Sequence, residues 1–328
     1  MISDQSVSRR GFLAATAASI AAATTHAAAP KKQAHIAITL DLEMSRHYPK
    51  RGMTEWDYQK GNLDEATKRY AVEAARVVKE HGGLIHFFCV GRVLEQPNID
   101  WLKEIAAEGH PVGNHTYDHV NVHATEPAQT QFRFRRAPWL VKGMTARQII
   151  EENIRLTSIA LSERAEIKQR GFRTPGGFTN GLADRRDLQE MMLKFGFPWA
   201  SSKYPSHKYG IANQEPTADV YEDIVRAQQD AQPFVYPSGL IEIPMSPISD
   251  VGAFRRQFWK RDYFLKAVRK AVEWAIETGG VFDFLAHPSC MVVEDPKFET
   301  IKQICRLVSE AGDLAKVVDL DTIAARFK

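Results

Sequence analysis

From His35 onward the chain alternates short apolar runs with longer amphipathic stretches, and that alternation restricts the fold more than any single residue does. HIAITLDL over His35–Leu42 is rich in β-branched residues and reads as a buried strand. Leu63–Glu80 repeats apolar and alanine positions at helical spacing and stops at His81-Gly82-Gly83. LIHFFCV over Leu84–Val90 reads as a second strand, Ile99–Glu108 as a short helix ended by Gly109, and Pro111–Asn114 as a third strand. Thr145 can cap a long helix reaching about Lys168, with Glu151 and Glu152 early in it. Phe172–Thr174, Trp199–Ser202, Leu240–Met245 and Val281–Leu285 read as strands four to seven. Helices are expected over Arg185–Phe195, Tyr263–Thr278 and Phe298–Ala311, with an eighth candidate strand at Ala315–Leu320. Strands alternating with helices imply a parallel sheet. Seven or eight such units predict a single α/β domain, a distorted (β/α) barrel.

Two segments, Ala124–Gly143 and Ser202–Gly239, break the rhythm and read as long loops, where function concentrates. Their aromatic residues Phe132, Phe134, Trp139, Tyr204, Tyr221, Phe234 and Tyr236 either line a sugar groove or simply pack the loops down.

The first thirty residues read differently. Arg9-Arg10 precede Gly11-Phe12-Leu13, then an almost wholly apolar run from Ala14 to Ala23, then small residues up to Pro30. This is a charged, apolar and small-residue cleavage sequence in order, and the paired arginines resemble a twin-arginine export signal. Residues 1–29 are therefore expected to be a signal peptide and 30–328 the barrel domain. The apolar run is about half of the roughly 20 residues a membrane span needs. The mature chain is expected to lack a membrane span and to work in the periplasm or outside the cell.

With 43 basic and 40 acidic residues, the formal charge of +3 gives no case for a nucleic-acid partner. Cys89, Cys290 and Cys305 are odd in number and widely spaced, which argues against a disulfide framework or a cysteine zinc knuckle. Nothing in the sequence sets the oligomeric state.

In a parallel barrel, reactive groups come from the C-terminal ends of strands, and four such ends here carry unusual residues. The first strand ends Asp41-Leu42-Glu43, two carboxylates that alternation can turn the same way, fit for a metal ligand and a general base. The third ends at His115, followed by Thr116-Tyr117-Asp118-His119. Two histidines four apart on a helical turn can share one divalent ion. The fourth carries Arg173 ahead of the rigid turn Thr174-Pro175-Gly176-Gly177, where a guanidinium can orient a carboxylate. The seventh ends Leu285-Ala286-His287, placing an imidazole for proton transfer, with Asp283 deeper as a buried partner. His110 and His123 read as structural.

Together these motifs resemble the polysaccharide deacetylases of the NodB-homology group, carbohydrate esterase family 4. Gly109 to His119 is similar to that family's HxxxH metal motif and its lead-in strand. Arg173-Thr174-Pro175-Gly176-Gly177 is similar to its arginine-proline-glycine motif, and Leu285-Ala286-His287 to its late histidine motif. The likeness runs from about His35 to His287. One departure stands out: the family's first motif usually has two adjacent aspartates, whereas Leu42 separates Asp41 from Glu43 here, a spaced-acid variant. No convincing counterpart of the family's aspartate-tryptophan motif is present.

The resemblance implies a divalent metal, expected to be zinc, held by His115, His119 and Glu43. It implies Asp41 as the base, oriented by Arg173, and His287 as the acid; the two carboxylates can exchange roles. The expected substrate is an acetylated amino-sugar glycan. The alternatives are hydrolysis of a small amide or cyclic ureide on the same fold, or a non-catalytic carbohydrate-binding relative. A glycosidase pair is a weak match, because residues two apart on one strand do not span the roughly 5 Å or more that such carboxylates need.

Overall fold

The computed structural model describes residues 32–327, apart from 49, 51 and 53–59. The expected signal peptide lies outside the described residues. Among the described residues no helix is long and apolar enough to cross a membrane.

Among the described residues nine strands form one sheet: β1 Ala34–Leu42, β2 Ile85–Cys89, β3 Val112–Asn114, β4 Phe172–Phe178, β5 Trp199–Lys203, β6 Phe234–Val235, β7 Ile241–Glu242, β8 Val281–Ala286 and β9 Ala315–Val317. The order is β6-β7-β5-β4-β3-β2-β1-β8. Every pairing along it is parallel except β6 with β7. The sheet is the distorted (β/α) barrel expected from the sequence.

β1 shows why the sequence folds this way. Its even-numbered residues Ile36, Ile38, Leu40 and Leu42 point outward and pack with Ala71, Ala74 and Val78 of the helix Glu65–Glu80 and with Phe264 and Val268 of Arg261–Thr278. Burying each such branched side chain contributes about 1.5–3 kcal/mol. The odd-numbered residues face inward: Ala37 packs with Phe88 and Trp199, Thr39 meets polar groups, and Asp41 reaches the mouth. The interior is thus layered, apolar at the base and polar toward the strand ends. Leu320 and Ile323 plug the base, and Asp321 there accepts the indole N–H of Trp199 at 2.8 Å.

The long helix expected after Thr145 is present as Ala146–Ala165, with a capping box between Thr145 and Gln148. Three expectations are corrected. The eighth candidate strand exists over Ala315–Val317 but does not close the barrel; it pairs with β1 at Ala34–Ile36, below the point where β2 takes over at Ile38. The sixth, expected over Leu240–Met245, ladders only at Ile241–Glu242. Pro244 has no N–H to give, so the chain beyond keeps alternate bonds, from Ile243 N to Ala200 O and from Met245 N to Lys203 O, both 2.9 Å. Third, Ser202–Gly239 is no continuous loop. Val220, Tyr221, Ile224 and Ala227 are buried at helical spacing and make the helix Ala218–Ala227.

The barrel closes by an unusual route. Between β7 and β8 a single backbone bond runs from Ser246 N to Asp283 O, 3.0 Å. Below it the exposed edge of Val281 is met by side chains: its N–H donates to Gln232 Oε1 at 2.8 Å, and its carbonyl accepts from Gln232 Nε2 at 2.9 Å. The oxygen and nitrogen of one glutamine amide do the work of a neighbouring strand, which satisfies an edge that would otherwise be open.

Candidate active site

Asp41 ends β1 and Glu43 follows at a tight turn, in which Glu43 N–H bonds the Asp41 carbonyl at 3.0 Å. Ser289 secures the segment by donating to the Glu43 carbonyl at 2.9 Å and accepting the Ser45 N–H at 3.0 Å. Both carboxylates are almost wholly buried and line one cavity of about 260 Å³.

His115 and His119 meet in the same cavity with ring centroids 5.1 Å apart, but not on a helical turn. Residues 115–119 form a non-helical loop in which Thr116 and His119 adopt φ of 59° and 56°. A non-glycine residue in that region costs roughly 1–2 kcal/mol, so the loop needs holding. Asn153 of the long helix supplies much of this: its carbonyl accepts the Tyr117 N–H and its Oδ1 accepts the Asp118 N–H at 2.7 Å. Asn114 Oδ1 accepts the Thr116 N–H, and Thr116 Oγ1 accepts the Val120 N–H.

His115 Nδ1 lies 3.0 Å from the Arg173 carbonyl oxygen. A carbonyl only accepts, so Nδ1 carries the proton and Nε2 turns a lone pair into the cavity. Burial lowers the pKa of His115, outweighing Asp41 and Glu43. His119 is lowered to about 4, again chiefly by burial. Both imidazoles are therefore neutral near pH 7, the form that binds metals.

Glu43 Oε1 forms a buried ion pair with Lys60. Burial alone would raise the Glu43 carboxyl; facing His119 and Lys60 outweigh it and hold it ionised, well below the usual range. Its Oε2 has no hydrogen-bond donor in line, although His119 Nε2 stands 2.8 Å away. One donor atom each from Glu43, His115 and His119 falls within 4.8 Å of the others. Two neutral imidazoles and a carboxylate oxygen without an in-line donor fit a divalent ion such as zinc.

Arg173 is fully buried over the Phe88 ring, its guanidinium carbon 4.3 Å from the centroid. Nη1 donates to Asp41 Oδ1 at 3.1 Å and to Thr39 Oγ1 at 2.8 Å; Nη2 donates to Asp283 Oδ2 at 2.6 Å. The guanidinium therefore sits between two buried carboxylates. Asp283 is raised to about 6, because burial outweighs the stabilising arginine. His287, at the end of β8, aims Nε2 into the site, 3.5 Å from Glu43 Oε1 and 3.9 Å from Asp41 Oδ2.

All six expected residues thus converge: Asp41, Glu43, His115, His119 and His287 line the cavity and Arg173 lies beneath it. Two more were missed. Asp250 binds His287 Nδ1 at 3.0 Å, yet it follows a segment with no strand pattern. Lys60 looked like a surface lysine ahead of a helix. Of the loop aromatics only Tyr204 lines the cavity, while Trp139 is 70% exposed and Tyr221 is core. His110 accepts the Ile85 N–H, and His123 lies on Phe178 with centroids 4.0 Å apart, so both serve packing. The three cysteines are buried thiols. A larger hollow, about 760 Å³, lies at the other end of the strands around His110, Arg170 and Asp319 and contains none of the six expected residues.

A model of the polysaccharide deacetylase family matches residues 60–196, a span holding Lys60, His115, His119 and Arg173 but neither Asp41 and Glu43 nor His287. A chitooligosaccharide deacetylase of Azorhizobium caulinodans is 28% identical over 75 residues, 23% of this chain; the match spans about a third (35%) of that protein. The fold is shared with a polysaccharide deacetylase structure from Mycobacterium smegmatis, 16% identical, covering 90% of this chain and 91% of that one at a TM-score of 0.59. It is shared also with one from Pseudomonas aeruginosa, 13% identical, covering 89% and 90% at a TM-score of 0.57. Through residues 60–196 this chain is similar to the polysaccharide deacetylase family, and it shares its barrel with solved structures that carry that description.

Proposed function

We propose that this chain is an exported, metal-dependent hydrolase that removes N-acetyl groups from an amino-sugar glycan. The observation that carries the reading is the packing of Glu43, His115 and His119 donors within 4.8 Å of one another, flanked by Asp41 and His287. Bound there, a zinc ion would supply Lewis acidity to the amide carbonyl and acidify water. Export rests on the Arg9-Arg10 leader alone.

The residues divide the proton work. Asp41, aimed by its hydrogen bond from Arg173, accepts the proton of the attacking water. His287, tied through Nδ1 to Asp250, presents Nε2 to give a proton to the departing amine. Lys60 holds one oxygen of Glu43 and leaves the other for the ion. Water and amide enter; acetate and a primary amine leave. Acetate release from a panel of acetylated glycans, with and without chelator, tests the reading: release that survives full chelation rules out the metal role.

The cavity, about 260 Å³, is smaller than the roughly 300–1,000 Å³ of most small-molecule sites. This favours a second reading for the same residues, hydrolysis of a small amide or cyclic ureide. Assaying ureide hydrolysis beside acetate release separates the two.

A further inference from the structure

The proton and metal chemistry leaves two charged groups of the cavity unused. Arg255 and Arg256 end the wide helical turn Val251–Arg256, and both line the cavity with Asp41, Glu43 and His287. Such π-type turns occur frequently at functional sites. This one begins directly after Asp250, the residue that binds His287.

Arg255 is half-buried, and its Nε and Nη1 are wholly covered without a hydrogen-bond partner. Leaving such donors unpaired is costly. The acids of the cavity are committed elsewhere: Asp41 to Arg173, and Glu43 to Lys60 and the facing histidines. A divalent ion at Glu43, His115 and His119 adds positive charge, so the cavity as a whole favours an anionic ligand. Among common oxyanions, a carboxylate accepts a charge-assisted N–H···O bond from a guanidinium.

We infer that Arg255, with the exposed Arg256 beside it, binds a carboxylate of the substrate. The favoured substrate class is then an N-acetylated amino sugar bearing a carboxylate near its amide, rather than a neutral chitin-type chain. The amide part of this statement rests on the deacetylase reading; the anion part does not.

The test compares acids with their own methyl esters on the zinc-loaded protein. Two acids cover the two sources of a nearby carboxylate: N-acetylmuramic acid, with an ether-linked lactate on the reacting sugar, and N-acetylglucosamine joined to glucuronic acid. Binding is measured by calorimetry and turnover by acetate release. At least one acid should bind tenfold or more tighter than its ester, with Arg255→Gln bringing that ratio close to one. Arg255→Lys, which keeps the stem and the charge and serves if Gln does not fold, should lower the ratio several-fold and leave it above one. Equal binding of acid and ester in the parent, or a ratio unmoved in a folded variant, overturns the assignment. Preference without turnover would keep the anion subsite and sink the deacetylase reading; turnover without preference would do the reverse.

Discussion

His287 Nδ1 lies 3.0 Å from Asp250 Oδ1, and the same carboxylate accepts the His287 backbone N–H at 3.1 Å. One acid thus fixes both the ring and the chain that carries it. Replacing Asp250 with Asn preserves the shape but frees the tautomer. We expect zinc content to stay at the parent level while kcat falls roughly 10²-fold or more, the range of a lost acid–base group. His287→Ala should behave the same way. Elemental analysis beside steady-state kinetics checks both, and loss of zinc in either variant would reassign His287 to the metal.

Chelation and His115→Ala should act alike, because His115 Nε2 and Glu43 Oε2 face one point. Each is expected to abolish acetate release, and zinc should restore the chelated parent but not the variant. The thermal midpoint should rise on zinc addition to the parent only, since a ligand stabilises the state that binds it.

Arg173 separates two buried carboxylates, so Arg173→Met leaves Asp41 and Asp283 facing each other unpaired. A loss of about 3–5 kcal/mol is expected at pH 7, as for other broken buried pairs. Urea denaturation measures it.

Asp283 also gives a pH signature. Its folded pKa is raised to about 6 from 3.8, so the folded state holds the proton more tightly than the unfolded chain. The sign follows: this contribution is complete below about pH 4 and is lost as pH rises through about 6, by about 2–3 kcal/mol. Asp283→Asn should remove that slope. Comparing parent and variant in urea at pH 4 and 7, with chelator present in both, isolates it; parallel pH curves would disprove it.

Gly171 lies before β4 at φ 70°, and an added Cβ would come within 2.0–2.5 Å of the Trp199 indole. Trp199 is fully buried and anchored to Asp321, so it has little room to yield. Gly171→Ala should cost about 2–4 kcal/mol from overpacking and backbone strain together, read as a lowered denaturation midpoint.

Much of the site was legible because its residues sit where strand periodicity ends. Asp41 and His287 each follow an apolar run that only a buried strand explains, Arg173 stands ahead of a Pro-Gly-Gly turn, and a parallel barrel gathers such ends at one mouth. Asp250 and Lys60 carried no such marker. Asp250 is reached through 243–249, where Pro244 and single backbone bonds replace a ladder, so no period marks it. Lys60 precedes its helix like any surface lysine, and only the turn at Glu43 brings a buried carboxylate to it. The helix Ala218–Ala227 was hidden for a different reason: proline and glycine on both sides made a short amphipathic stretch look like loop.

The sequence by itself determined the parallel architecture, the strand ends that bear reactive groups and the choice of six candidate site residues, because hydrophobic period and motif spacing are local properties. Tertiary structure alone decided how those groups are paired. His115 donates its Nδ1–H to the Arg173 carbonyl, Glu43 is shared by Lys60 and His119, and Asp250 holds His287. These contacts join positions up to tens of residues apart whose energies depend on mutual burial, and no local pattern encodes a distance across the barrel.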